Sequence, residues 1–343
     1  MSAQRRKTRD TLHLQGVPRA ICACIVSTWV ALVAGGILVP AHAQETPPVL
    51  ALLQRIQSAA REQDYAGVFT HQHGETLTSS RIVHMVDGTG ERERLELLDG
   101  EPREYLRHND ATQCLMPQRK LVIRDRGRSD RFPGLLMGEG DAVDQHYRLR
   151  DEGVTNRVAG RACRLAHLEP RDAQRYGYTL CTDTQTNLLL KVQIVDATGV
   201  VDQVAFTSVT LGQDVSPAQL ASWDTRDWTV QMDDTSVIHL GEQGWRISPP
   251  PGYRVMTQLL RPMQHRQVSH LVLSDGLAAI SVFIEPMPQR RGQILGTTLR
   301  RGALSIHTAR IGDYGLTMLG DVPPAVLQDL AQSMRFVPSA ARP

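Results

Sequence analysis

The alternation of apolar and polar residues separates one helical stretch from a long run of strands. In residues 49–62 (VLALLQRIQSAARE), Leu50, Leu53, Ile56 and Ala60 recur at helical spacing, which predicts one amphipathic helix. From Tyr65 onward the period shortens to two. Strands are predicted at 65–71, 78–86, 92–98, 104–108, 111–116 and 120–124. Asp87-Gly88 and Asp99-Gly100 are read as hairpin turns, because these residue types accept positive φ at little cost. The stretch Arg131–Gly138 breaks the alternation. Phe132, Leu135, Leu136 and Met137 sit there among glycines and a proline, which predicts a loop covering apolar space, either its own core or a ligand. A short helix over 140–147 follows, then strands at 155–159, 161–168, 176–182, 188–196 and 200–211.

About ten strands with one or two helices predict an α+β chain, mostly antiparallel β, in which a curved sheet wraps over helices and leaves room for a cavity. Residues 213–243 lose the pattern and read as a linker or strap, with Trp223 and Trp228 as isolated anchors. Strands return at 268–274, 277–285, 305–311 and 316–320, before a helix over 325–334 that Pro323-Pro324 introduces. The expected organisation is therefore a signal peptide over 1–43, a first domain over 44–212, a linker over 213–243 and a small α+β C-terminal domain over 244–343.

The N-terminus changes how charge and cysteines are read. Arg5, Arg6, Lys7 and Arg9 precede an apolar run over 21–39 that ends in Pro40-Ala41-His42-Ala43, the pattern of a cleaved secretion signal. An uncleaved anchor is the alternative, and Gly35-Gly36 and Pro40 favour cleavage. Segment 1–43 holds five basic residues and one acid, a net of +4, against +2 for the whole chain. The remainder is thus −2, and no global positive field draws nucleic acid. Of five cysteines, Cys114, Cys163 and Cys181 remain after cleavage, in a compartment that permits disulfides. Cys163 and Cys181 flank a predicted hairpin centred near Asp172, so a bridge is admitted; the alternative is three small buried hydrophobes.

Chemistry-bearing motifs are sparse. The chain has no G-x-S-x-G, P-loop, G-x-G-x-x-G or H-E-x-x-H, so no catalytic residue, cofactor or metal is expected and the chain reads as a binder, not an enzyme. His71 and His73 share a strand face, with His84 on the neighbouring strand, and are the best metal candidate, though with no supporting carboxylate predictable they read as ordinary half-exposed histidines. Glu91, Glu93 and Glu96 interleave with Arg92 and Arg94, as on a solvated strand face. Arg290-Arg291 could meet an acidic partner or lipid phosphate.

Several segments in the same order are similar to one family. They include Tyr65-Ala66-Gly67-Val68-Phe69, Glu91–Glu104 (ERERLELLDGEPRE), Phe132-Pro133-Gly134-Leu135-Leu136 and Val158-Ala159-Gly160-Arg161-Ala162-Cys163. Pro170–Tyr178, Leu188–Lys191, Pro249–Tyr253, Ser274–Pro286 and Gly312-Asp313-Tyr314 continue the match. The chain resembles the RseB/MucB family of periplasmic regulators of the sigma-E envelope-stress pathway. The resemblance implies a first domain shaped like the lipoprotein carriers LolA and LolB. It further implies binding to the periplasmic region of an anti-sigma factor (RseA or MucA type), protection of that partner from site-1 proteolysis, and release by lipid or lipopolysaccharide. A lipid or lipoprotein carrier is the alternative, against which residues 244–343 argue, and an exported hydrolase is the third reading. Whether the chain forms a homo-oligomer is left open. One departure from the family is Cys181, where relatives more often have a large apolar residue, which puts a shared disulfide pattern in doubt.

Overall fold

The first helix forms where the apolar spacing predicts it, and a remote carboxylate caps it. α1 (Pro48–Glu62) begins on a proline, which suits a first turn that has no use for that N–H, and buries Val49, Leu52, Leu53, Ile56, Ala59 and Ala60. Its N-terminal N–H groups would otherwise lack partners. Val49 and Leu50 donate theirs to the two oxygens of Asp144, each at 2.9 Å. This computed structural model describes residues 48–125, 132–138, 140, 142–232, 234–263, 266–287 and 296–337. The signal-peptide reading and Arg290-Arg291 lie outside the described residues.

A first sheet of twelve strands follows α1. In chain order it contains β1 (Tyr65–His73), β2 (Thr76–Asp87), β3 (Gly90–Leu97), β4 (Arg103–His108), β5 (Ala111–Met116) and β6 (Leu121–Asp125). After the loop at 132–138 and a single helical turn, α2 (Val143–His146), come β7 (Tyr147–Val158), β8 (Arg161–Pro170), β9 (Gly177–Asp183), β10 (Leu189–Asp196) and β11 (Gly199–Leu211). The predicted helix over 140–147 shrinks to that one turn because Tyr147 is already extended, at φ −126° and ψ 154°, and carries its buried ring into the sheet. The strand order is β12-β6-β5-β4-β3-β2-β1-β11-β10-β9-β8-β7, where β12 is Thr229–Met232. Sequential hairpins account for most of the order, and β11 closes back on β1. A twisted sheet of this size curls, and α1 fills the concavity. Leu53 and Ile56 pack there with Tyr147, Leu168, Leu180 and Leu189.

The stretch after β11 lacks alternation, yet it is built into both sheets. β12 runs parallel to β6 from Thr229↔Leu121 to Met232↔Arg124, and β13 (Ser236–Val237) pairs with the second sheet. Between them and β11, a short 3-10 turn at Pro217–Leu220 lies over β2 and β3. The turn covers the Arg94 side of β3, and both faces of that strand are less solvated than its sequence implies. Arg107, 11% exposed, donates to Glu91 at 2.8 Å and Glu93 at 3.0 Å. Arg94 donates to buried Glu104 at 2.6 Å, and Ser222 of the strap bonds the same carboxylate.

The second lobe contains β14 (Trp245–Arg246), β15 (Arg254–Met263), β16 (Arg266–Ser274), β17 (Ala279–Pro286), β18 (Thr298–Arg301), β19 (Leu304–Ile311), β20 (Tyr314–Gly320), α3 (Pro324–Ser333) and β21 (Arg335–Phe336). Its seven-stranded sheet has the order β13-β15-β16-β17-β20-β19-β18, while β14 pairs with β21. Leu271, Leu273, Ile280, Val282 and Met318 point to one side, where α3 places Val326, Leu327 and Leu330.

One histidine of this sheet predicts acid sensitivity. His270 of β16 stacks on Phe283 of β17, with ring centroids 4.2 Å apart and planes 8° apart. Burial, aided by the charge of Arg261, pulls its pKa from 6.5 down to about 4. Because the folded value is depressed, the neutral ring's contribution is complete above the unfolded pKa of about 6.5 and is lost as pH falls toward 4. The thermal midpoint of His270→Gln should therefore decline less than that of the parent between pH 6.5 and 4. Parallel declines in a pH series of melting curves would contradict this.

Candidate functional site at the junction of the two sheets

Two ion-pair and turn contacts fix the second lobe against the first. Asp275, in the β16–β17 turn, accepts from Arg175 Nε at 2.8 Å, and both side chains are fully buried. Tyr147 Oη donates to the same Asp275 oxygen at 3.1 Å, and Arg175 Nη2 donates to the Pro251 carbonyl at 2.6 Å. The other Asp275 oxygen takes the backbone N–H groups of Leu277 and Ala278. Arg175 also pairs with Asp172, so although burial disfavours its charge, the two aspartates hold its pKa above the ordinary arginine value. Gly252 in the Pro-Pro-Pro-Gly turn sits at φ +82°, where a Cβ would lie 2.5 Å from Arg175 Nη2 and 2.2 Å from His146 Nε2. Only glycine allows this approach. At the other end, Arg300 donates to Asp196 at 2.5 Å, and Arg301 bonds Thr76.

Between the two lobes lies an open cavity of about 500 Å³, within the range of small-ligand sites. The first sheet contributes Tyr178, Val192, Ile194 and Val204 to its wall. The second lobe contributes Leu277 and Leu304, and the loop contributes Phe132, Leu135 and Met137. A second cavity of about 570 Å³ opens nearby, with Arg150, Glu169, Arg175 and Arg300 on its walls.

The four loop residues singled out from sequence divide into anchors and lining. Phe132 wedges between Phe69 and Phe206, with ring centroids 5.1 and 5.0 Å away. Leu136 is buried against the α1 core. Leu135 and Met137 face the cavity, and Met137 N donates to the Gly276 carbonyl at 2.8 Å, tying the loop to the second lobe. Cys163 and Cys181 are joined by a disulfide within the first lobe's core, with Cα atoms 5.3 Å apart, away from the cavity lining.

The polar end of the cavity was only partly visible in sequence. His71 and His73 do share a face of β1, but His84 is not with them. The β1–β2 register sets Thr78 opposite His71 and Thr76 opposite His73, and leaves His84 opposite Tyr65, on whose ring it stacks at 4.8 Å. The partner is Asp202, which β11 brings opposite His73. His71 Nε2 donates to Asp202 Oδ1 at 2.9 Å, and His73 Nδ1 to Oδ2 at 2.5 Å. The hydrogen bond to Asp202 raises the pKa of His71. Burial pushes the Asp202 carboxyl up, but the two imidazoles more than offset this and hold it below the ordinary value. Asp321, from the second lobe, lines the same end; burial and then the charge of Asp202 raise its pKa. Strand parity gave the two histidines, whereas the two aspartates depend on long-range pairing.

A curved sheet, a second α+β lobe and a mixed apolar and polar cavity at their junction define a two-lobed binding protein. The chain matches the MucB/RseB N-terminal domain over residues 48–223 and the MucB/RseB C-terminal domain over 239–335. It belongs to the MucB/RseB family. It is 28% identical over 301 residues to the sigma factor AlgU regulatory protein MucB of Pseudomonas aeruginosa, covering 84% of this chain and 90% of that protein. To the sigma-E factor regulatory protein RseB of Escherichia coli it is 24% identical over 317 residues, covering 89% and 96%. Among solved structures, MucB in complex with the periplasmic part of MucA is similar at a TM-score of 0.65 and 28% identity, covering 85% of this chain and 99% of MucB. MucB alone aligns at a TM-score of 0.60 and 27% identity, covering 84% and 97%. The family comprises regulatory binding proteins, so this chain is a binding protein and not an enzyme.

Proposed function

We propose that this protein acts in the periplasm by binding the periplasmic region of a membrane-spanning anti-sigma factor. Binding shields that region from site-1 proteolysis, and lipid or lipopolysaccharide releases it. The supporting observation is the similarity, across both lobes, to MucB as it stands in its complex with periplasmic MucA. The junction cavity supports the lipid half of the reading, since its apolar wall is made by both lobes and by the loop at 132–137. A ligand there alters the equilibrium only if it binds one arrangement of the lobes better than another.

The test uses the purified protein and the periplasmic segment of the anti-sigma factor from the same organism. The two should copurify, and the bound segment should be cut more slowly by the site-1 protease. No complex between the folded partners would sink the regulatory reading. Adding lipopolysaccharide should then weaken the complex in a titration; an affinity that stays constant would remove the sensor role and leave the binding role standing.

A further inference from the structure

We propose that His71, His73 and Asp202 form a zinc site at the polar end of the junction cavity. One ligand atom from each of His71, His73 and Asp202 lies within 4.8 Å of the others. A tetrahedral zinc ion with bonds of about 2.0–2.2 Å holds its ligand atoms roughly 3.3 Å apart. The hydrogen-bonded separations of 2.9 and 2.5 Å therefore need only a small opening for an ion to replace the shared protons. Asp202 is fixed for this role: its side chain is 4% exposed, and two rings hold its two oxygens. The rings are also separately directed, with centroids 5.6 Å apart and planes at 60°.

Asp321 of the second lobe lines the same pocket outside this group of three, and its side chain makes no hydrogen bond or ion pair among the described residues, which leaves the fourth position of a tetrahedral ion to water. Two neutral imidazoles and two carboxylates sum to −2, which a divalent ion balances. Imidazole nitrogen with carboxylate oxygen is a donor set that suits zinc better than magnesium or calcium. The β18–β19 turn comes close enough to keep the second lobe at this point. Gly302, at φ +56°, abuts Gly74 in the β1–β2 turn, and a Cβ on it would stand 3.3 Å from Asp202 Oδ2. A bound ion would thus tie β1 to β11 where the second lobe comes closest.

The inference stands apart from partner binding, because metal uptake is read on the isolated protein. Chelator-stripped protein is titrated with zinc chloride against a chromophoric competitor, and cobalt(II) is added separately to record its visible spectrum. The expected result is one zinc ion per chain and a cobalt band of four-coordinate intensity. His71→Gln, His73→Gln and Asp202→Asn should each weaken zinc by about tenfold or more, a loss that even outer partners of a metal site can produce. His71 is half-exposed, so its variant is the least disturbing, and an unchanged metal-free melting temperature shows that the fold is intact. Absence of stoichiometric uptake, or uptake equally tight in the His71 and His73 variants, overturns the site.

Discussion

Arg175→Ala should lower folding stability by about 3–5 kcal/mol in urea unfolding, the range for breaking a buried ion pair from one side. The alanine variant leaves Asp275 as a buried carboxylate that has lost the guanidinium paired with it, while Tyr147 and two backbone N–H groups still hold it in place. It also removes the donor to the Pro251 carbonyl and the cation that lies 5.3 Å from the Tyr253 ring centroid. The effect belongs to an uncompensated charge, and that makes a second variant informative. Replacing the pair together, Arg175→Met with Asp275→Leu, should be less damaging than the arginine change alone, since neither charge is then buried. A single-variant loss below about 1 kcal/mol would place the pair with exposed salt bridges and contradict its burial. Because the pair spans the two lobes, the single variant should also make the second lobe more accessible to protease before global unfolding.

Most of the first lobe was legible because its signals are local. Leu53, Ile56 and Ala60 follow the helical period, and both D-G pairs fall in turns, with Gly100 itself at φ +77° and Gly90, two residues beyond Gly88, carrying the positive φ of the other. Elements without a buried face were not legible. β15 was not predicted at all, since much of Arg254–Met263 is exposed and Pro262 interrupts it. β12 and β13 are fully exposed, so backbone pairing to a pre-existing edge makes them strands and their side chains give no pattern. The candidate site splits in the same way. The loop at 132–137 was visible as apolar residues among glycines, and His71-x-His73 as strand parity. Asp202, Arg175, Asp275 and Asp321 were not, because each matters through a partner that is distant in sequence. His84 shows the limit most directly: the correct neighbouring strand still leaves the residue far from His71 when the register is unknown.

Register also governs the last expected result, removal of the Cys163–Cys181 bridge. Equal strand lengths would centre the β8–β9 hairpin near Asp172 and put the cysteines directly opposite. The observed register pairs Cys163 with Asp183 and Leu165 with Cys181, so the hairpin is centred one residue later and the cysteines are diagonal neighbours. Their Cα separation of 5.3 Å is within the span a disulfide requires. The bond closes a loop with a sequence separation of 18, for which loss of unfolded-state constraint amounts to about 3 kcal/mol. Cys163→Ala with Cys181→Ala should therefore lower the unfolding free energy by about that amount. Both residues are buried, among Leu188, Leu190 and Phe206, so some cavity cost adds to it. Adding reductant to the parent should reproduce most of the loss without that cavity cost. Denatured, unreduced protein lacking residues 1–43 should show one thiol, that of Cys114; three thiols, or a double variant as stable as the parent, would refute the bridge as a stabilising feature.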